Sequence, residues 1–185
     1  MECYGSTEKQ GEEGDIEMIK LYHGSYTIIE HPLVSVGRKE LDFGPGFYLT
    51  RLKDQAERWA RRVCVIKNVT TPYISYYQFE DSHLYEEIKI KVLGKYDIEW
   101  LEFIVSSRKG DRPWAEYDII EGGVANDQVI DTVEDYYAGR ITADQAIGQL
   151  KFAKPTHQIC IRNQGVVDSL LHFSGSEILK EEGGR

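Results

Sequence analysis

Asp42-Phe-Gly-Pro-Gly-Phe-Tyr-Leu-Thr50 decides the fold. Gly44, Pro45 and Gly46 make a strong turn signal, because glycine and proline break both helix and ladder. The turn delivers the chain into a short strand, Phe47 to Thr50. Upstream, Met18-Ile-Lys-Leu-Tyr22 is a second apolar strand that runs directly into His23-Gly24-Ser25. Pro32 and Gly37 mark the loop between them. Downstream, Leu52, Ala56, Trp59, Ala60 and Val63 fall at helical spacing. Thr50 is placed to cap that helix, and Trp59 to anchor it on a sheet.

The rest of the chain mixes strands and helices. Val63 to Ile66, Pro72 to Phe79 and Glu87 to Val92 are rich in β-branched or aromatic residues and are expected to be strands. Asp97 caps a helix carrying Ile98, Leu101 and Val105, which ends over Arg108 to Pro113. Tyr117 to Val124 holds a strand and a Gly-Gly break. Gln128 to Ala138 reads as a helix, and Thr142 caps another that buries Ala143, Ala146, Ile147 and Leu150. His157 to Arg162 is a short apolar strand, Val166 to Phe173 a brief helix, and Glu177 to Leu179 a last strand. The order β, β, α and then mixed β and α is an α+β pattern, without the regular alternation of a doubly wound sheet. Residues 18–180 are expected to form one domain. Residues 1–17 and Glu181 to Arg185 are polar, aperiodic tails.

Composition narrows the function. The 185 residues include 41% hydrophobic and 29% charged residues, which suits a soluble globular chain. A net charge of −9 repels phosphate backbones and argues against broad nucleic-acid binding. Cys3, Cys64 and Cys160 lack any CxxC spacing, which disfavours a disulfide scaffold or a zinc site. His31, His83 and His172 have no ligand-like spacing, so no metal is assigned. No apolar run approaches the roughly 20 residues of a membrane span, and no signal-peptide core opens the chain. These features point to a reducing, cytoplasmic setting without a membrane partner.

Three stretches carry polar groups where a site needs them: Leu21-Tyr-His-Gly-Ser25, the turn and strand at 42–50, and His157-Gln-Ile-Cys160. A nicotinamide amide needs a donor and an acceptor in one plane, and a glycine backbone offers both without a Cβ in the way. A flat pyridinium stacks well on an aromatic face. Cleavage at the ribose builds positive charge, which a polar group at the 2′-hydroxyl stabilises. Gly24 suits the first task, Tyr48 the second, and His23 a ribose contact.

This ordered set resembles the ADP-ribosyltransferase fold in its histidine–tyrosine branch, which includes the poly-ADP-ribose polymerases. The motifs are His23-Gly24, Gly46-Phe-Tyr-Leu-Thr50 and a helix with Ala56 and Trp59-Ala60. The chain is also similar to a small bacterial family of that fold, of unknown function, through Tyr117-Asp-Ile-Ile120, Val124-Ala-Asn-Asp127 and His157-Gln158. The likeness spans roughly Ile19 to Phe173. It implies two small sheets that form an NAD cleft, with peripheral helices. His23, Gly24, Ser25, Gly46, Phe47 and Tyr48 would bind NAD as co-substrate, and His23, Tyr48 and Gln158 would serve catalysis. Gln158 stands where the family usually has glutamate. An uncharged group there favours single transfer or NAD hydrolysis over polymer elongation. Some bacterial relatives look like toxins paired with small antitoxins, so the resemblance implies a toxin role, and an antitoxin as candidate partner, by analogy alone.

Plainer readings stand beside these. His23 could be a satisfied core histidine, Tyr48 a packing residue and Gln158 a backbone-bonding glutamine. Asn126 and Asp127 suit a helix cap, and Tyr73, Tyr76, Tyr77 and Phe79 suit sheet packing. The expected enzyme would transfer ADP-ribose from NAD to a protein, nucleic acid or small molecule. The alternatives are a catalytically weak module that binds NAD or ADP-ribose, removal of a 2′-phosphate from RNA, and a purely structural or antitoxin-binding protein. The lack of basic residues at 48 and 158 disfavours the RNA reaction.

Overall fold

The computed structural model describes residues 18–36, 41–80, 85–125, 129–153 and 156–180. The two tails, Gly37, His83, Asn126 and Asp127 lie outside the described residues. Seven strands and five helices follow one another among them: β1 (Met18–Ser25), β2 (Phe47–Leu49), α1 (Lys53–Lys67), β3 (Tyr73–Glu80), β4 (Ile90–Leu93), α2 (Ile98–Lys109), β5 (Ile119–Gly122), α3 (Ile130–Tyr137), α4 (Ala143–Leu150), β6 (Gln158–Ile161), α5 (Gln164–Leu170) and β7 (Leu171–Ile178). The α+β class expected from the sequence is the class observed.

Two small sheets result. One has the order β1-β3-β7 and the other β2-β6-β5-β4. All neighbours are antiparallel except β4 and β5. Among the described residues one backbone bridge joins the sheets: Tyr22 and Thr50 exchange both backbone hydrogen bonds, at 2.9 and 3.0 Å.

Alternation along the strands sorts side chains into three cores. Leu21, Tyr77 and Phe79 from the first sheet pack on Phe47, Leu49, Ile159 and Ile161 from the second, with α5 closing this layer. The other face of the second sheet, with Ile120 and Cys160, packs on Trp100, Leu101 and Ile104 of α2 and on Val133 and Leu150. The other face of the first sheet takes α1, through Ala56, Ala60 and Ile74.

Several sequence expectations are corrected. Val63 to Ile66 is not a strand; it is the last turn of α1. Only Cys64 of that run is buried, while Val65 and Ile66 are 81% and 62% exposed. Continuing an existing helix adds one hydrogen bond per residue, which outweighs the weak strand preference of β-branched side chains. Asn68 then ends the helix in the left-handed conformation, with φ of 54°.

Thr50 does not cap α1. Leu52 occupies the cap position without a side-chain bond, and Thr50 is committed to Tyr22 while its hydroxyl accepts from the Leu52 N–H. Trp59 faces outward, not onto a sheet, and Arg62 lies over its ring. Ala56, Ala60 and Cys64 make the buried face instead, a stripe of small residues that lets the helix axis come close. Gly24 meets that stripe. A Cβ at Gly24 would lie 2.0 Å from the Ala56 carbonyl oxygen and 2.9 Å from the Ala60 nitrogen.

The strand expected over Glu87 to Val92 begins only at Ile90 and runs to Leu93. The helix expected over Val166 to Phe173 stops at Leu170. Leu171 opens an eight-residue strand, where the expectation was a short one at Glu177 to Leu179. Its alternating burial is that of a sheet edge with one wet face. Elsewhere the caps fall as expected. Asp97 accepts from Trp100 N–H at 3.1 Å, and Thr142 and Gln145 form a reciprocal capping box.

Gly24→Ala is expected to cost about 3 kcal/mol or more, because backbone on two elements must move. Denaturant unfolding of the variant measures this. A cost near zero would mean that α1 does not press on β1.

Candidate active site at the joint between the sheets

The site grows from the Tyr22–Thr50 joint. Antiparallel strands alternate their backbone groups between two edges. Tyr22 spends its N–H and C=O on Thr50, away from β3. Gly24, two residues on, therefore directs its own N–H and C=O to that same edge, where β2 no longer pairs with β1. The side that a Cβ would fill is closed by α1. Gly24 thus presents, at the point where two strands part, a donor and an acceptor that no described residue engages.

His23 spans the parting. Its Nδ1 lies 2.7 Å from the Tyr48 carbonyl oxygen. A carbonyl only accepts, so Nδ1 carries the proton and donates. The imidazole stacks on Phe47, with centroids 4.6 Å apart and planes 29° apart. Burial lowers the pKa of His23 below its ordinary value, partly offset by the bond to Tyr48. The ring is therefore neutral near pH 7, and Nε2 is a bare acceptor that no described group engages.

Tyr48 and Phe47 point to opposite faces of β2. Phe47 joins the layer between the sheets and meets Tyr77 edge-on. The Tyr48 ring turns to the α2 side, where its hydroxyl donates to the Gly44 carbonyl. Burial, with Cys160 and Asp42 nearby, raises the phenol pKa far above its ordinary value. The Cys160 thiol is pushed up to about 12 by burial and is not a nucleophile near neutral pH. Gly46 is required by close approach: a Cβ there would lie 2.6 Å from the Cys160 sulfur and 2.7 Å from the Ile161 carbonyl. Ser25 is buried at the end of β1, opposite Tyr73.

Gln158 opens β6 opposite Gly122 of β5. Tyr48 faces Cys160 across β2 and β6, so Gln158 lies on the same face one diagonal step away. The structure thus brings His23 to the Tyr48 main chain and puts the Tyr48 ring with Gln158. The imidazole and the phenol ring stand on different sides of β2. Two surface hollows, of about 390 and 280 Å³, lie elsewhere. One is lined by Glu102, Lys109 and Tyr137, the other by Tyr117, Arg162 and Asn163.

Sequence reading passed over Arg51, Gln55 and Glu121, and took His157 only as the polar neighbour of Gln158. The His157 ring lies 2.7 Å from Glu121, and the Arg51 guanidinium 3.4 Å from the same carboxylate. The hydrogen bond from His157 holds the Glu121 carboxyl below the usual range, burial opposes this, and the Arg51 charge adds to the lowering. The available signal was a lone glutamate inside the apolar run Ile119-Ile-Glu-Gly122. Among the described residues no group of three or more His, Cys, Asp or Glu side chains could hold a metal ion, and no helix is long and apolar enough to cross a membrane.

These features define an α+β protein whose two sheets share one joint, with a glycine edge, a neutral histidine and a tyrosine around it. The chain belongs to the family described as "Protein of unknown function (DUF3990)", whose model matches residues 19–173. No curated protein and no solved structure matches it.

A neutral, half-buried histidine links stability to pH. The unfolded chain takes up a proton as pH falls through about 6.5, while the folded one resists until lower pH. Stability from this group is complete above about 6.5 and declines below it. Denaturant unfolding at pH 7.5 and 5.5 is expected to show a smaller loss for His23→Gln than for the parent. Equal losses would place the titration elsewhere.

Proposed function

We propose that the chain is an ADP-ribosyltransferase that cleaves NAD at the nicotinamide–ribose bond and passes ADP-ribose to a single acceptor or to water. One observation carries the reading: the Gly24 backbone N–H and C=O lie at the edge where β1 and β2 part, engaged by no described residue, beside His23 bonded to Tyr48. A planar carboxamide needs that donor–acceptor pair. The resemblance in the His23-Gly24, Gly46-Phe-Tyr48 and His157-Gln158 motifs supports the same assignment and the same fold.

In this reading Gly24 takes the nicotinamide amide and the half-buried ring of Tyr48 takes its pyridinium. The hydroxyl bond to Gly44 fixes that ring's plane in advance, so less ordering is needed on binding. The Nε2 lone pair of His23 accepts from a ribose hydroxyl. Ser25, Gly46 and Phe47 shape the surroundings. Gln158, on the Tyr48 face, bonds the ribose near the reacting carbon and steadies the charge that builds there. Its lack of charge suits one transfer or hydrolysis. The acceptor is a protein, a nucleic acid or a small molecule. A toxin role with an antitoxin partner, and a cytoplasmic setting, rest on the resemblance and on composition.

A second reading, a module that holds NAD or ADP-ribose without cleaving it, is favoured by the same uncharged Gln158. Nicotinamide release from NAD separates the two. The parent is expected to release it, and His23→Ala and Tyr48→Ala each to lose about 2–4 kcal/mol of transition-state stabilisation. Circular dichroism checks that both variants fold. Binding by calorimetry without release in the parent would favour the module, and parent-like release from both variants would refute the site.

A further inference from the structure

The β2–β6 ladder ends at Leu49 and Ile159, and the next residue, Thr50, bonds its backbone to Tyr22. Beyond that point side chains replace the missing ladder. The Arg51 N–H donates to Nδ1 of His157 at 3.2 Å. The His157 N–H donates to Oε1 of Gln55 at 3.2 Å, and its carbonyl accepts from Nε2 of Gln55 at 2.6 Å. A glutamine amide on α1 therefore stands where a neighbouring strand would. On the other side, Nε2 of His157 meets the Glu121 carboxylate of β5 at 2.7 Å. Since Nδ1 accepts from an N–H, Nε2 carries the proton and donates to Glu121.

His157 is the residue before Gln158. The Gln158 side chain makes no hydrogen bond among the described residues, so its direction depends on the main chain that leads into it. We propose that Glu121 is a positioning residue, which acts through His157 to aim Gln158 at the Tyr48 face of the joint. The carboxylate holds the ring in the one tautomer that can take the Arg51 N–H. That contact ties the end of β2 to the start of β6, while Gln55 fixes the His157 backbone from the third side. Its chemical consequence rests on the NAD reading above; the clamp itself does not.

Two measurements test this. Nitrogen-15 spectra of labelled histidine are expected to show His157 with its proton on Nε2 in the parent and in Glu121→Gln, and a tautomer mixture in Glu121→Ala. An unchanged His157 in Glu121→Ala overturns the clamp, whether or not the protein cleaves NAD. Absence of NAD cleavage by the parent overturns the NAD reading and leaves that result standing. With NAD turnover, Glu121→Ala is expected to lower kcat about tenfold at unchanged KM, since misplacing a reacting group costs rate more than binding. Glu121→Gln recovers most of the loss. In a Gln158→Ala background the Glu121→Ala loss disappears, because nothing is left to position. The same tenfold loss in that background overturns the positioning role. If Glu121→Ala does not fold, Glu121→Leu keeps the volume and serves the same comparisons.

Discussion

Two hydrogen bonds between Tyr22 and Thr50 carry the architecture. They are the only backbone ladder between the sheets among the described residues, and they fix which edge of β1 each later residue uses. Move that bridge by one residue and Gly24 would turn its backbone toward β3, while His23 would face α1. The bridge also explains why Thr50 is unavailable to cap the helix that follows. A residue cannot close a sheet joint and a helix end with the same backbone.

Around the joint, polar atoms are spent sparingly and in fixed directions. His23 and His157 flank it in opposite tautomers, one donating through Nδ1 and the other through Nε2. In each case the partner decides the tautomer: a carbonyl at His23, and a backbone N–H with a carboxylate at His157. Small residues do the complementary work. Gly24 with Ala56 and Ala60 brings α1 against β1, and Gly46 brings β2 against β6. The centre is therefore built by close backbone approach more than by large side chains.

Much of this was legible in the sequence. The glycine turn, the two opening strands, the Asp97 and Thr142 caps and the α+β order all follow from local chemistry. The sequence also singles out His23, Gly24, Tyr48 and Gln158, but the fold sets the His23 imidazole and the Tyr48 ring on different sides of β2. What local chemistry could not give was decided by distant partners. Val63 to Ile66 has strand-like residues, yet an existing helix extends through them. Trp59 looks like an anchor, yet the neighbouring strand carries Gly24 and accepts only alanines. The alternation of Leu171 to Ile178 was present in the sequence, but only pairing with β3 gives it meaning. The Glu121–His157 contact joins residues from two strands, so no single stretch of sequence announces it.

The pairing of β2 with β6 has a consequence for synthesis. Tyr48 emerges early from the ribosome, but its cross-strand partner, Cys160, emerges near the end. β1 and β3 can zip together as soon as both are made, and α1 between them is local. The second sheet has no such shortcut, and β7 completes the first sheet later still. Long-range pairings of this kind form last and slowly. A nascent or truncated chain lacking β6 thus has Gly24 and Tyr48 without the wall that sets them, so the centre comes into being in a single late event.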